Sequence, residues 1–323
     1  MNNPTMNSPN IAFLFPGQGS QVVGMGKDLA DRFPLAWRTF EEADEALGSK
    51  LSQLCFEGPE EQLRQTENTQ PAILTVSVAA WRVINDKGIK PAFVAGHSLG
   101  EYSAHVAAGT LSFADAIRAV RNRGRYMQEA VPVGLGAMAA ILGMFPDAVA
   151  AICADSAQGE VCEPANINSP EQIVISGHTT AVERAVKLAK ERGAKRAKLL
   201  PVSAPFHCSL MKPAQEKLAV DLKSLQFSRP QFPVVCNVDA RALDQAEPAR
   251  EALIRQVTGS VKWNESVQWL VARSVQTFVE VGPGKILCGL MRQIDRSKKC
   301  LNVEDEASLQ KTLEFLAGTT VTQ

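Results

Sequence analysis

Short apolar runs that end in glycine or proline recur in the pattern of hydrophobic and polar positions along the chain. Ile11-Ala12-Phe13-Leu14-Phe15 is followed by Pro16-Gly17-Gln18-Gly19, and Ala92-Phe93-Val94-Ala95-Gly96 repeats the pattern. A continuous apolar run of this length, with a turn signal at its end, predicts a strand buried on both faces. Residues 232–238 and 277–281 predict two further strands of this kind.

Helical periodicity fills the stretches between these strands. It predicts helices over residues 28–47 and 71–85, and a helix from residue 99 to about 108 directly after the second strand. Strands that alternate with helices predict a mostly parallel sheet with helices on its faces. With 323 residues, the chain is long enough for one large α/β domain that carries a smaller one.

The middle of the chain predicts a different unit. Its strands and helices follow in the order βαββαβ, over residues 137–142, 146–155, 160–167, 172–176, 179–192 and 195–202. This order is typical of a ferredoxin-like unit. We therefore expect a small domain over residues 130–203, inserted into a large domain formed by residues 10–129 and 204–310.

Composition narrows the class of protein. Hydrophobic residues make up 45% and charged residues 21%, as in an ordinary globular protein. Lys plus Arg equals Asp plus Glu at 34 each, so no basic surplus favours nucleic-acid binding. No stretch approaches the length of a membrane span, and the polar start of the chain lacks the features of a signal peptide. We expect residues 1–9 to form a disordered leader.

The seven cysteines include no CxxC pair and have no regular spacing. Their odd number and irregular spacing indicate neither a disulfide framework nor a zinc site. We therefore expect reduced thiols, which fit a cytoplasmic protein.

Gly96-His97-Ser98-Leu99-Gly100 fits the pattern G-x-S-x-G between a predicted strand and a predicted helix. The glycines permit a sharp turn that exposes the Ser98 hydroxyl, which makes Ser98 a candidate nucleophile. The Leu99 N–H at the start of the helix could donate to a developing oxyanion. The alternative is a glycine-rich turn with a capping serine, and the surrounding strand and helix favour the nucleophile.

A serine nucleophile needs a base, and the chain has four histidines. His97 adjoins Ser98 but points elsewhere at such a turn, His105 lies further down the helix, and His178 ends a strand of the small unit. His207 lies in the loop that returns the chain to the large domain, so we favour it as the base. No acid after it has a distinctive context; the candidates are Asp221, Asp239, Asp244 and Glu280. A carbonyl could orient the imidazole instead.

The predicted helix over residues 114–130 carries four arginines. Its apolar stripe consists of Phe113, Ile117, Val120, Gly124 and Met127. Arg118, Arg121 and Arg125 fall on the opposite, polar face. Arg123 falls beside the stripe, roughly 60° from its centre, and so faces inward. A buried guanidinium needs an anionic partner, and either a protein carboxylate or a substrate carboxylate could serve.

Six motifs from about residue 10 to about residue 300 together resemble one enzyme family. They are Phe-Pro-Gly-Gln-Gly-Ser-Gln at 15–21, Gly-His-Ser-Leu-Gly-Glu-Tyr at 96–102, Arg-Gly-Arg-Tyr-Met-Gln at 123–128, Asn-Ile-Asn-Ser-Pro at 166–170, Ala-Pro-Phe-His at 204–207 and Val-Gly-Pro-Gly at 281–284. In this order they resemble the malonyl-CoA:acyl carrier protein transacylases, which belong with the acyltransferase domains of fatty-acid and polyketide synthases. The resemblance implies an α/β-hydrolase-like core with a ferredoxin-like insertion.

The resemblance also implies an activity and its residues. Malonyl-CoA and acyl carrier protein would be the partners, with Ser98 acylated and His207 as its base, and without a metal or bound cofactor. Gln18 and Leu99 would supply the two oxyanion amides. The remaining roles concern three residues: Arg123 would hold the malonyl carboxylate, His97 would lie near it, and a carbonyl at Gln256 would orient the base.

Two other kinds of protein are compatible with parts of this pattern. An esterase of the α/β-hydrolase type would share the serine turn, but its histidine usually lies near the C-terminus and its substrate would not explain Arg123. A non-catalytic carrier-protein docking module would not need both Ser98 and His207. The sequence does not distinguish a carrier of fatty-acid synthesis from one of polyketide synthesis. Since carriers in these pathways are acidic, the candidate docking residues are Lys195, Arg196 and Lys198.

Overall fold

The computed structural model describes residues 11–202 and 204–320. The predicted disordered leader lies outside the described residues, and so does Ser203 in the loop before His207. The strands, numbered in chain order, are β1 Ile11–Phe15, β2 Phe93–Gly96, β3 Gly136–Leu142, β4 Cys162–Ser169, β5 Gln172–His178, β6 Arg196–Leu199, β7 Val234–Val235, β8 Ala242–Leu243, β9 Thr277–Val281 and β10 Lys299–Val303.

Fourteen α-helices connect these strands in the described part of the chain. They are α1 Lys27–Arg32, α2 Pro34–Leu47, α3 Leu51–Glu57, α4 Glu60–Leu63, α5 Thr66–Asp86, α6 Gly100–Ala107, α7 Phe113–Glu129, α8 Pro146–Ala157, α9 Thr179–Glu191, α10 Lys212–Ser224, α11 Ala246–Gln256, α12 Trp263–Val271, α13 Ile286–Ile294 and α14 Glu306–Thr320. None of the described helices is both long enough and apolar enough to cross a membrane.

The larger sheet is mostly parallel and is covered on both faces. Its strand order is β10-β9-β1-β2-β7-β8, and only the β7–β8 pair is antiparallel. Phe13 and Phe15 pack into one apolar cluster, whereas Ala12 and Leu14 pack into another with Trp263. The apolar run of β1 is continuous because alternate side chains enter two different cores. The predicted α/β class is therefore confirmed.

The smaller sheet has the ferredoxin-like topology. Its four antiparallel strands lie in the order β4-β5-β3-β6, and the chain runs β3-α8-β4-β5-α9-β6. Ile141 and Ile173 pack with α8 and α9 on one face. Met138 and Val174 on the other face join the main core of the protein. The predicted inserted unit is confirmed as a fold, while its boundaries at residues 130 and 203 stay a prediction.

Three predicted elements differ from the observed ones. The helix expected over residues 28–47 is two helices, because Phe33 is extended and Pro34 begins α2. The helix expected from Pro71 begins earlier, at Thr66. The strand expected over residues 232–238 keeps only Val234–Val235, since the chain turns at once and Ala240 N–H donates to the Cys236 carbonyl.

The expectation of seven reduced thiols is wrong for one pair. Cys288 on α13 and Cys300 on β10 form a disulfide, with their Cα atoms 5.3 Å apart. The pairing follows from packing, because α13 lies beside β10 and brings the two residues together across 12 positions of sequence. Irregular spacing gave no sign of this contact. The other five cysteines are free and buried, and no group of metal-ligating side chains is found among the described residues.

Candidate active site

The turn between β2 and α6 places Ser98 in a left-handed conformation. Its φ is 53°, an uncommon value for a residue with a side chain. The turn is tight on both sides of the serine. A Cβ on Gly96 would lie 1.9 Å from the Gly100 carbonyl carbon, and a Cβ on Gly100 would lie 2.1 Å from the Phe15 carbonyl oxygen. Both glycines of the G-x-S-x-G pattern are therefore sterically required.

Asn237 lies in the turn that follows the neighbouring strand β7, and its side chain holds the serine turn. The Ser98 N–H donates to Asn237 Oδ1 at 2.8 Å, and Asn237 Nδ2 donates to the Gly96 carbonyl at 2.7 Å. Its side chain thus bridges the residues before and after the turn, and Asn237 is fully buried. Sequence reasoning missed it. The available signal was an asparagine directly after an apolar run.

His207 is within hydrogen-bond distance of the candidate nucleophile. Its Nε2 lies 2.7 Å from Ser98 Oγ. Its Nδ1 lies 2.9 Å from the Gln256 carbonyl oxygen and 3.2 Å from that of Gly259. Carbonyl oxygens only accept, so Nδ1 carries the proton and Nε2 is free to accept one from the serine hydroxyl. A backbone carbonyl thus occupies the position where many hydrolases have an acid.

Burial keeps His207 uncharged. The side chain is 3% exposed. Burial, assisted by the positive charge of Arg123 and opposed by the hydrogen bond to the Gln256 carbonyl, lowers the pKa of His207 to about 3. A neutral imidazole at neutral pH is the form that can accept the proton of a nucleophile.

The other three histidines have different surroundings. His97 Nε2 lies 2.8 Å from Asn168 Oδ1, and burial lowers the pKa of His97. His105 is fully buried on α6, and His178 Nδ1 accepts from the Val161 N–H at 2.9 Å. Among the described residues, only His207 of the four has a ring nitrogen within hydrogen-bond distance of Ser98 Oγ.

The acids considered as triad members are engaged elsewhere. Asp221 accepts from Asn122 and Tyr126, and Asp239 accepts from Arg255. The remaining two pair as follows: Asp244 lies 3.8 Å from Arg229, and Glu280 accepts from the N–H groups of Leu287 and Cys288 at the start of α13. None of the four contacts His207 in the described part of the chain.

Arg123 is buried beside Ser98 without a carboxylate partner. Its side chain on α7 is 2% exposed. Nη1 donates to Gln70 Oε1 at 2.7 Å, while Nη2 donates to Gln256 Oε1 at 2.9 Å and to Ser98 Oγ at 3.2 Å. Among the described residues, Nε has no acceptor and no carboxylate oxygen lies within 4.0 Å of the guanidinium. Burial lowers the pKa of Arg123.

The other arginines of α7 lie on its outer face, as the periodicity predicts. Arg118 pairs with Asp115 at 2.9 Å, and Arg125 lies 3.9 Å from Glu129. Both side chains are about half exposed. Arg123 is thus the arginine of this helix that faces Ser98.

The loop after β1 approaches the serine turn. A Cβ on Gly17 would lie 2.4 Å from the His97 carbonyl oxygen, so only glycine allows this contact. The loop places Gln18 at the cavity that contains Ser98, and Leu99 caps the start of α6. Within the described ranges, neither the Gln18 N–H nor the Leu99 N–H has a hydrogen-bond partner. Both are therefore available as donors.

A cavity of about 650 Å³ joins these groups. Ser98, His207 and Arg123 line its floor, and Gln18, His97 and Asn168 are also exposed to it. Its apolar walls come from both units of the fold: Met138, Val174 and Leu200 from the small one, and Phe206, Leu287 and Leu290 from the large one. The arrangement brings a candidate nucleophile, a neutral candidate base, amide donors and a fixed positive charge together in one cavity.

Comparison with known proteins gives the family of this chain. The family model described as the acyl transferase domain matches residues 12–312. A malonyl CoA-acyl carrier protein transacylase of Salmonella typhimurium is 51% identical over 304 residues, covering 94% of this chain and 98% of that protein.

Solved structures with the same architecture include two relatives of similar identity. The crystal structure of an acyl carrier protein S-malonyltransferase from Vibrio cholerae has a TM-score of 0.92 and 51% identity, covering 94% of this chain and 99% of that one. A complex of a type II polyketide-synthase acyl carrier protein with its malonyl-transacylase has a TM-score of 0.92 and 50% identity, with the same coverage. With the family model matching nearly its whole length, the chain belongs to the acyl transferase domain family.

Proposed function

We propose that this enzyme transfers a malonyl group from malonyl-CoA to the phosphopantetheine thiol of an acyl carrier protein through an acyl-Ser98 intermediate. The observation that carries the proposal is Arg123, a buried cation without a carboxylate partner among the described residues, 3.2 Å from Ser98 Oγ. A buried unpaired guanidinium is costly, and a substrate carboxylate would relieve that cost. The names of the half-identical relatives support the same substrate pair.

The first half-reaction acylates the serine. His207 Nε2 takes the proton from Ser98 Oγ while the oxygen attacks the thioester carbonyl. The N–H groups of Gln18 and Leu99 donate to the oxyanion of the tetrahedral intermediate. The carbon–sulfur bond then breaks, and His207 returns the proton to the sulfur of coenzyme A. The Gln256 carbonyl stabilises the charged imidazole through Nδ1.

The second half-reaction reverses these roles with another thiol. The carrier's thiol gives its proton to His207 and attacks the malonyl ester. The new carbon–sulfur bond forms, the carbon–oxygen bond to Ser98 breaks, and the serine recovers its proton. The same base and the same oxyanion donors serve both half-reactions, because the coenzyme A thiol that leaves and the carrier thiol that attacks are chemically alike.

The carrier protein would dock beside the small sheet. Lys198 is opposite Ala140 on β3, and Ala140 is opposite Val174 on β5. Side chains opposite each other in a ladder lie on one face, so Lys198 lies on the sheet face that lines the cavity through Val174. Arg196 lies on that face by the same register, while Lys195 pairs with Glu171 at 2.9 Å. We therefore favour Arg196 and Lys198 as the docking cations.

The pathway of the carrier protein is open. One relative is seen in complex with a type II polyketide carrier, so both fatty-acid and polyketide carriers should be assayed as acceptors. The cytoplasmic location stays a prediction.

The direct test of the intermediate is intact-mass measurement after incubation with malonyl-CoA. We expect one malonyl adduct on the wild-type enzyme and none on Ser98→Ala. Radiolabelled malonyl transfer to carrier protein should be lost in the same variant. A full adduct on Ser98→Ala would contradict the assignment of the nucleophile, and no adduct on the wild type would favour a docking module.

A further inference from the structure

The side chain of Gln256 makes contacts that its role toward the base does not explain. Gln256 is the last residue of α11 and is fully buried. Its backbone carbonyl accepts from His207. Its carboxamide points the other way, into a set of hydrogen bonds with Arg123, Ser98 and Glu101.

The chemistry of these partners fixes the orientation of the amide. Oε1 accepts from Arg123 Nη2 at 2.9 Å, and a guanidinium can only donate. Nε2 donates to the Ser98 carbonyl at 2.9 Å and to Glu101 Oε2 at 2.7 Å, and both of these oxygens accept. A flipped amide would lose all three bonds. The same side chain thus links the backbone of the nucleophile to the guanidinium.

The Gln256 amide holds the guanidinium without neutralising it. Arg123 has two amide acceptors, Gln70 Oε1 on Nη1 and Gln256 Oε1 on Nη2. A carboxylate at either position would form an ion pair and compete with a substrate carboxylate. Neutral amide oxygens fix the orientation of the Arg123 guanidinium and leave its positive charge available to a substrate carboxylate.

We propose that the Gln256 side chain is a positioning residue for acyl-group selection. It holds the Arg123 guanidinium at a fixed distance from Ser98. An acyl group whose carboxylate binds the guanidinium then has its thioester carbon next to Ser98 Oγ. The proposal rests on the proposed function, since it assigns Arg123 to the substrate carboxylate.

The two roles of Gln256 can be separated by mutation. Any substitution keeps the backbone carbonyl that orients His207, whereas the contact to Arg123 needs the amide. Gln256→Met, which has a similar unbranched shape, also removes the amide's bonds to the Ser98 carbonyl and to Glu101, so the reactivity of Ser98 is measured separately. Labelling of Ser98 by a fluorophosphonate, which needs no carboxylate site, measures this reactivity and reports that the variant is folded.

The test is a double-mutant cycle on the acylation step with malonyl-CoA and acetyl-CoA. Gln256→Met should lower kcat/KM for malonyl-CoA by about ten- to hundredfold, as expected for a lost hydrogen bond to a charged group. After division by the Ser98 labelling rate of the same variant, which removes any change in the nucleophile itself, kcat/KM for acetyl-CoA should change by less than about threefold. In the Arg123→Ala background, Gln256→Met should have almost no further effect on malonyl-CoA, because residues that act through one another are not additive.

Gln215→Leu is the matched control. Gln215 on α10 donates to the carbonyl of Ile254, which lies on α11 like Gln256. Gln215 is not among the residues that line the cavity. It should leave the malonyl-to-acetyl ratio at the wild-type value. If Gln256→Met does not fold, Gln256→Leu takes its place in the cycle.

The outcomes separate this inference from the function on which it rests. Equal losses for both thioesters in Gln256→Met, or an undiminished effect in the Arg123→Ala background, would overturn the positioning role. If Arg123→Ala by itself affects both thioesters equally, the proposed function fails instead.

Discussion

At the residue scale, burial would prepare His207 for the role of base that we propose. A histidine in water is half protonated near its ordinary pKa of 6.5, and the protonated form cannot accept the serine proton. Burial and the nearby positive charge of Arg123 together lower the pKa of His207 to about 3. The base should therefore stay competent well below the pH at which an exposed histidine would fail.

This lowered pKa predicts a flat pH profile for acylation. The rate requires the neutral imidazole, and a lower pKa extends that form to lower pH. We expect kcat/KM for malonyl-CoA to change little from about pH 8 to about pH 5. Stopped-flow acylation across this pH range measures the profile of kcat/KM. His207→Ala gives the baseline, and we expect it to be about 10²–10⁴-fold slower in both half-reactions. A loss of rate centred near pH 6.5 would contradict the buried-base account.

Individual site residues differ in how much of their role can be predicted from the sequence. Ser98 and Arg123 can be found because a short motif and a helical period mark them. Asn237 and Gln70 cannot, since their contacts form across 139 and 53 positions of sequence. Contacts of that range depend on how whole elements pack, which local patterns do not encode.

At the element scale, the tight packing of the β2–α6 turn against the end of β1 creates the site. The parallel pairing of β1 and β2 brings their carboxyl ends to one edge of the sheet. The ends of these two strands and the start of α6 meet at this edge. The Gln18 and Leu99 N–H groups therefore lie near the side chain of Ser98.

Gly100→Ala should disrupt this arrangement. The added Cβ would lie 2.1 Å from the Phe15 carbonyl oxygen, so the backbone must move. We expect acylation to fall at least about tenfold and the unfolding temperature to drop. The matched control is Gly289→Ala on α13, where a Cβ meets nothing within 4 Å. It should keep activity and gain about 0.5–1 kcal/mol of stability. Equal behaviour of the two variants in kinetics and thermal unfolding would refute the packing argument.

Predictions of elements were accurate where the pattern was strong. The strand predicted over residues 277–281 is observed with the same bounds, because its buried run is flanked by clear turn signals. The helix predicted over residues 28–47 is interrupted at the extended Phe33 before Pro34, although its apolar period continues across this break. The Cys288–Cys300 disulfide was missed because it depends on helix-to-strand packing.

At the scale of the whole molecule, the two units of the fold share the cavity. The large unit supplies the reacting groups, and the small sheet closes the opposite wall with Met138 and Val174. Arg196 and Lys198 lie on that same sheet face at the edge strand β6. This placement puts exposed positive charge close in sequence to Leu200, Pro201 and Val202, which line the cavity.

Transfer to the carrier protein should depend on these charges. We expect the rate of the second half-reaction to fall as salt rises from about 50 mM to about 500 mM. Lys198→Glu should raise KM for the carrier several-fold with little change in kcat, because a surface charge mainly affects encounter. Lys187→Glu, on α9 behind the other face of the sheet, is the control. A transfer rate independent of salt would argue against docking at this edge.

We propose that Arg123 selects the acyl group by binding its carboxylate. Malonyl has this carboxylate and acetyl lacks it, although both are presented as the same thioester. With acetyl bound, the buried guanidinium keeps no anionic partner. Removing one partner of a buried ion pair costs about 3–5 kcal/mol, which corresponds to about two to four decades in kcat/KM.

This role of Arg123 is tested by measuring kcat/KM for acylation of Arg123→Ala by malonyl-CoA and by acetyl-CoA. We predict a loss of about 10²–10⁴-fold in kcat/KM for malonyl-CoA and an unchanged or improved value for acetyl-CoA. Arg118→Ala and Arg125→Ala, on the exposed face of the same helix, should change either value far less. Equal losses for malonyl and acetyl in Arg123→Ala would mean that the buried arginine only stabilises the fold, and would contradict the account.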